Sequence, residues 1–297
     1  MREVTILFGR PHVPQFAEDR FELEVLAAEE LCIESYAIPL DPVVNGDPAR
    51  ALRRLPEAKG RTWLYRGWML NEEEYTGLYD AMLERDEELV VDPESFAEAS
   101  YIPNYAPLLG AHTAPARWTE GEDIREAWEA AIELGPPPWV IKDHVKSAKE
   151  LWHRACFVRE GSTYDDFADV CERLLEARGD RFERGFVIKK YLELATLSGW
   201  TPERRLATDE HRLVFWEGRL VAQAPYYDVD AEPLDAEAFA FLGDVLNSPF
   251  FTVDVARLTC GGTTIIEVND GGSSTLPEQM DPRELYRAVV GGRCHRG

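Results

Sequence analysis

Three oxygen-bearing residues near the C-terminus carry the clearest chemical signal in the chain. Asp254 lies in one apolar run, and Glu267 and Asn269 lie two apart in the next. The runs 250–256 and 264–269 flank Cys260-Gly261-Gly262, a turn sequence, and so read as a hairpin. Strand side chains alternate between faces, which puts Ile266 and Val268 on one side and Glu267 and Asn269 on the other. A turn centred on Cys260 and Gly261 sets Asp254 directly opposite Glu267, with Cβ atoms ~5 Å apart. Two carboxylates that close repel each other unless one takes a proton or a cation lies between them. Mg²⁺ takes oxygen ligands, commonly one or two carboxylates together with substrate phosphates. The same pattern suits a half-exposed hairpin with a wet polar face, so spacing alone leaves both readings open.

The hairpin needs a scaffold, and the rest of the chain supplies signals for one. Residues 4–8, 32–38, 62–65 and 89–91 read as short strands, and 16–31, 48–55 and 71–85 as helices. That alternation implies a parallel sheet with helices on its faces. Pro103, Pro107, Gly110 and Pro115 mark 101–121 as a linker. A helix over 121–134 carries the stripe Ile124, Ala127, Trp128, Ala131 and Ile132, and stops at Gly135 and the prolines that follow. Strands are expected at 139–142 and 155–158. A helix over 163–178 is capped by Thr163 with Asp166 three residues on. Strands follow at 185–192, 211–216 and 220–224, the last two joined by a two-residue Glu217-Gly218 turn. Helices at 235–246 and 282–290 bracket the hairpin.

Composition narrows the function classes. The 297 residues hold 32 Lys and Arg against 55 Asp and Glu, a formal net charge of −23. A field of that sign repels phosphate backbones and anionic membranes, which argues against general nucleic-acid binding and against a membrane partner. No apolar run approaches the ~18 residues of a spanning helix, and the start lacks the pattern of a signal peptide. Five cysteines, none at C-x-x-C spacing, fit a reducing cytoplasm and signal neither a zinc ribbon nor a thiol redox motif.

Val253-Asp254-Val255 followed by Ile265-Ile266-Glu267-Val268-Asn269-Asp270 resembles the metal-binding end of the ATP-grasp superfamily. The resemblance implies that Asp254, Glu267 and Asn269 hold two Mg²⁺ ions, or Mn²⁺ in their place, bridging the phosphates of ATP. The segment Asp270-Gly271-Gly272-Ser273-Ser274 is similar to the family's small-residue loop, which marks Gly271 and Ser273 as substrate contacts. Trp139-Val140-Ile141-Lys142 resembles the strand ending in a phosphate-binding lysine. The following His144-Val145-Lys146-Ser147-Ala148-Lys149 lacks the usual glycines, which points to Lys146, and secondarily Lys149, as side-chain substitutes. Phe186-Val187-Ile188-Lys189-Lys190-Tyr191-Leu192-Glu193 resembles the adenine hinge, implying ATP contacts from Lys189, Lys190, Tyr191 and Leu192. A lysine stands at 189 where relatives carry a carboxylate. Glu210 and Arg212 resemble the Glu-x-Arg strand that reaches ATP and the transferred phosphate. Arg66, at a strand end, and Tyr226 are assigned to the substrate. The second phosphate lysine of many relatives is missing, and Arg117 is the sole strongly basic residue between Tyr101 and Glu120.

The whole layout is similar to a bacterial and phage clade with a small α/β domain ahead of the grasp. It implies a mixed α/β and α+β chain: residues 1–118 form the preceding domain with a parallel sheet and linker, and 119–297 form a two-lobed ATP-grasp domain hinged near 189–193. The implied activity is an ATP-dependent carboxylate–amine (or carboxylate–thiol) ligase. Lys142 and Arg212 would be its catalytic cations, working through an acyl-phosphate on small-molecule or peptide substrates. A kinase-like phosphotransferase and a non-catalytic nucleotide-binding regulator are the alternatives.

Overall fold

The computed structural model describes residues 4–10, 21–57, 59–148, 151–200 and 206–291. The N-terminal third is built on a parallel sheet of β1 (Val4–Arg10), β2 (Ser35–Pro39), β3 (Thr62–Gly67) and β4 (Glu88–Leu89), in the order β2-β1-β3-β4. Helices α1 (Glu22–Glu30), α2 (Asp41–Val44), α3 (Pro48–Leu52) and α4 (Glu72–Leu83) connect these strands. The start of α4 is set by a capping box in which Asn71 and Glu74 satisfy each other's backbone N–H. β1 and β3 are buried almost throughout, as expected of parallel strands covered on both faces.

The expected linker over 101–121 is instead largely structured. After α5 (Pro93–Ser100), residues Ile102–Leu109 form helix α6. Pro103 lies in the first turn, where its missing N–H would have had no partner. Pro107 costs one hydrogen bond, but Ile102, Tyr105 and Leu109 bury against the C-terminal sheet, and that packing outweighs the local signal.

A second sheet runs β5-β8-β6-β7 with antiparallel pairing, made of β5 (Ala116–Trp118), β6 (Trp139–Asp143), β7 (Phe157–Val158) and β8 (Phe186–Lys190). Helices α7 (Ile124–Glu133) and α8 (Tyr164–Arg178) cover one face, with the core around Trp139, Phe167 and Phe186. Thr163 and Asp166 form the full capping box of α8. The strand expected from 155 begins only at Phe157, because Trp152–Cys156 winds into a π-type turn against α8.

Beyond a small antiparallel pair, β9 (Thr196–Trp200) with β10 (Leu206–Thr208), lies the C-terminal sheet: β11 (Glu210–Trp216), β12 (Arg219–Pro225), β13 (Phe250–Arg257) and β14 (Thr263–Asp270), ordered β12-β11-β13-β14. Glu217 and Gly218 both take positive φ, 46° and 73°, as a tight two-residue turn requires. The helix expected over 235–246 breaks into a 3₁₀ turn at Ala236–Phe239 and a short α9 (Leu242–Val245). Gly243, within α9, meets the Gly218 turn so closely that a Cβ on Gly243 would lie 1.8 Å from the Gly218 carbonyl oxygen. Finally α10 (Pro282–Val289) packs back on α1. The core of the parallel sheet continues into this part of the chain, taking in Trp216, Phe250, Leu285 and Tyr286. Among the described residues, no helix is long and apolar enough to cross a membrane.

Candidate active site

Strands β11, β13 and β14 of the C-terminal sheet place Arg212, Asp254 and Glu267 side by side, since Arg212 pairs with Asp254 and Asp254 pairs with Glu267. Residues directly opposite share a face, so one row across the sheet carries a cation and two carboxylates. Asn269 lies one row along, opposite Thr252. All four are buried. The Arg212 guanidinium grips both oxygens of Asp254 at 2.7 Å and donates its remaining nitrogen to the Thr275 carbonyl at 2.7 Å. Tyr226 lies 4.8 Å below that guanidinium. Burial alone would lower the arginine's pKa, and Asp254 more than reverses the effect, so the group holds its charge.

The facing sheet brings the other cations. Lys142 pairs with Val187 and Lys189 with Val140, which puts both lysines on one face. Lys142 Nζ donates to Glu267 Oε2 at 2.8 Å, and Lys146 Nζ to Asn269 Oδ1 at 2.8 Å. Lys189 Nζ reaches the Ile266 carbonyl at 2.9 Å and Thr113 Oγ1 at 3.3 Å. Burial drives the Lys189 ammonium down to about 7, helped by Lys142 and opposed by Glu267. Cations from one sheet therefore close on acceptors of the other. Two cavities of about 860 and 600 Å³ lie elsewhere, near Arg61 and near Arg184 respectively.

The donors fit a hard divalent cation: two carboxylates and one amide oxygen, all oxygen, each already facing a positive side chain. Asn269 Nδ2 is buried without a hydrogen-bond partner, so its amide is not fully satisfied by the protein. No group of three or more His, Cys, Asp and Glu side chains arranged for a metal occurs among the described residues; here an amide completes the set.

The sequence family described as the ATP-grasp domain, R2K clade family 3, matches residues 133–289, a span that contains both the lysine strands and the carboxylate hairpin. The chain belongs to this family. No curated protein matches it. Among solved structures it is similar to a RimK domain ATP-grasp protein from Sphaerobacter thermophilus, at 15% identity and TM-score 0.57 over 97% of both chains. It is similar to the D-cycloserine synthetase DcsG, at 12% identity and TM-score 0.64, over 97% of this chain and 99% of that one. The ATP-grasp ligase PsnB, complexed with a minimal precursor, matches at 13% identity and TM-score 0.57, over 98% and 100% of the two chains. At such identities the likeness is one of fold.

The remaining sequence-derived residues of this R2K-clade protein divide between the cleft and its supports. Glu210 is buried one row from Arg212 and accepts from Thr208 Oγ1 at 3.1 Å. In the expected hinge, the Lys190 and Tyr191 backbone N–H groups already donate to Pro115 and Pro138, and the Lys190 ammonium bonds the Pro136 carbonyl. Tyr191 stacks edge-on against Phe157, and Leu192 beside it is half-buried. Arg117 pairs with Glu133 on the surface, away from the lysines. Lys149 lies outside the described residues.

Arg66 differs most from expectation. It is fully enclosed, and its guanidinium bonds both oxygens of Glu24 and the carbonyls of Gly271 and Gly272. Rather than opening toward a substrate, it ties the loop after β14 to the parallel sheet. Gly271 and Ser273 lie in that loop. Gly271 packs so tightly that a Cβ would stand 2.5 Å from the Phe250 ring, and the Ser273 N–H donates to Asp270 at 2.9 Å. Burial pushes the Asp270 carboxyl up to about 6, against the pull of the Gly272 and Ser273 N–H groups.

Two supports went unrecognised in the sequence. Asp143 is fully buried; its Oδ1 accepts from the backbone of Val145 and Lys146, and its Oδ2 from Arg178 Nε at 2.7 Å. It thereby folds the turn that aims Lys146. An aspartate right after the strand-ending lysine, with backbone donors two and three residues on, is an Asx-turn signal that was there to be read. Glu24, the partner of Arg66, gave no such signal.

Proposed function

We propose that this chain is an ATP-dependent ligase that joins a carboxylate to an amine through an acyl-phosphate, releasing ADP and phosphate. The observation that carries the reading is the facing arrangement of Lys142, Lys146 and Lys189 with the Arg212–Asp254–Glu267 row, in a chain of the ATP-grasp family. Residues 119–297 would form the two-lobed grasp, hinged near 189–193, and residues 1–118 the preceding domain. The similar DcsG and PsnB are described as a synthetase and a ligase, which supports the class of reaction and leaves this chain's own substrates to experiment.

Asp254, Glu267 and Asn269 would hold Mg²⁺, which when bound neutralises phosphate charge. Lys142 and Lys146 would exchange their present oxygen acceptors for phosphate oxygens, one charge-assisted bond for another. Lys190, Tyr191 and Leu192 would border the base. Arg212, fixed in its plane by Asp254 and Tyr226, would offset charge as the γ-phosphoryl group moves to the substrate carboxylate. In that transfer the bond to the β-phosphate oxygen breaks and a carboxylate oxygen–phosphorus bond forms. The amine then attacks the carbonyl carbon, loses a proton, and expels phosphate. No protein nucleophile is needed, since orientation and charge supply the acceleration. The acyl-phosphate must be kept from water, and two sheets that close face to face can do so.

The test is calorimetry of ATP binding with and without Mg²⁺, wild type beside Glu267→Gln. Binding that requires Mg²⁺ and fails in the variant supports the reading, and a folded wild type that binds no nucleotide overturns it. An ADP-release screen over amino acids and peptides follows, where ADP formed without an amide product would indicate a phosphotransferase instead.

A further inference from the structure

The hairpin that carries the acidic residues is not a regular ladder. Its outer part pairs Arg257 with Thr263, Ala256 with Thr264 and Val255 with Ile265. Continued without interruption, that register would set Asp254 opposite Ile266. Because side chains alternate, Glu267 and Asn269 would then turn to the far face. Instead Asp254 pairs with Glu267, leaving Ile266 as an extra, unpaired residue: a β-bulge. The bulge is what brings both carboxylates to one face.

A bulge leaves backbone groups outside the ladder, and here side chains take up its carbonyls. Thr113 Oγ1 donates to the Ile265 carbonyl at 2.9 Å, beside an isolated bridge between Thr113 and Ile265. Lys189 Nζ donates to the Ile266 carbonyl at 2.9 Å and to Thr113 Oγ1 at 3.3 Å. The two side chains come from outside the hairpin, one from the segment after α6 and the other from β8, and both are buried. Unlike Lys142, which ends on a carboxylate, Lys189 ends on a carbonyl and a hydroxyl.

We propose that Lys189 and Thr113 are positioning residues that clamp the β14 bulge, and so fix the direction of Glu267 toward a divalent ion. This rests on the nucleotide reading above and gives Lys189 a role besides, and separable from, contact with phosphate. A lysine held this way is bonded to the main chain of the strand that bears the ligand, so its removal loosens the ligand without deleting it. Loss of such supporting bonds lowers metal affinity by roughly 10- to 100-fold in well-studied sites.

The experiment uses ADP as probe and Mn²⁺ in place of Mg²⁺, with bound Mn²⁺ read by electron paramagnetic resonance on the ADP complex. Metal-free ADP affinity is measured in parallel by calorimetry. Lys189→Met keeps bulk and removes the donor. Thr113→Val removes the hydroxyl at nearly constant shape, and Thr113→Ser restores it. The expected result is a roughly tenfold or greater rise in the Mn²⁺ concentration for half-occupancy in Lys189→Met and a smaller rise in Thr113→Val. Thr113→Ser should lie near wild type, and metal-free ADP affinity should be unchanged in both Thr113 variants. Wild-type Mn²⁺ affinity in both Lys189→Met and Thr113→Val overturns the proposal. So does a loss confined to metal-free ADP binding in Lys189→Met, which would make the lysine a phosphate contact instead. A wild-type protein that takes up no Mn²⁺ with ADP would refute the nucleotide reading itself, a separate outcome.

Discussion

Replacing Arg66 by methionine tests how the loop after β14 is held. The guanidinium is fully buried, bonded through Nε to Glu24 at 2.7 Å and through Nη2 to the other Glu24 oxygen, with Nη1 on the Gly271 carbonyl. Phe21 and Phe250 lie 5.0 and 5.6 Å from it. Methionine would fill much of the volume and remove every one of those donors. Among the described residues, Glu24 would keep only the Tyr286 hydroxyl, at 2.9 Å, to offset a buried charge. Removing one partner of a buried pair costs about 3–5 kcal/mol. At about 2–4 °C per kcal/mol for chains of roughly 200 residues, that is a fall in Tm on the order of 10 °C. The assay is urea unfolding followed by tryptophan fluorescence on Arg66→Met, Glu24→Leu and the double variant. Because the cost comes from stranding a charge, the double variant should lose less than the sum of the singles, and less than Arg66→Met alone. A loss below about 1 kcal/mol in Arg66→Met, or strict additivity, would refute the reasoning.

Further outcomes follow from the same geometry. Gly271→Ala would push a methyl group against the Phe250 ring, and should cost about 1–3 kcal/mol in unfolding experiments. Asp143→Ala removes the acceptor for the Val145 and Lys146 N–H groups and strands Arg178, so calorimetric nucleotide affinity should fall more than in Asp143→Asn, which keeps an acceptor for the turn. His211 is buried, and burial is the largest influence lowering its pKa from the ordinary 6.5; Asp209 opposes this and Arg257 adds to it. The unfolded chain therefore takes up a proton there at higher pH than the folded one. Stability should hold above the ordinary histidine value and decline as pH falls below it, less steeply in His211→Gln. Parallel pH curves for the two proteins would contradict this.

The site was legible to different depths. The pairing of Asp254 with Glu267 was expected from an unbroken ladder about Cys260 and Gly261. The real hairpin turns one residue off that register, with Arg257 opposite Thr263, and the bulge at Ile266 restores the pair. The same two residues meet by a route that alternation alone could not reveal, since a bulge is stabilised by atoms from other strands. Lys142 and Lys146 stood out by their place at and after a strand end, and both reach the carboxylate hairpin. Lys189 was read as part of an adenine hinge in contact with ATP, whereas its side chain runs to β14. The stretch around α6 was misread because proline signals were weighed without the apolar face of Ile102, Tyr105 and Leu109 that buries against a distant sheet.

What the sequence determined by itself was therefore what short-range chemistry controls. Alternating strands, the Thr163 and Asn71 caps and the Glu217-Gly218 turn arise within a few residues, where propensity and local hydrogen bonds decide. The type and spacing of the acidic residues likewise announce oxygen-ligand chemistry without any fold. Which cation meets which acid, which carbonyls Lys189 holds, and whether Arg66 faces solvent or Glu24 were decided by tertiary structure alone. Those contacts join residues tens to hundreds of positions apart, and burial sets their strength by removing water from both partners.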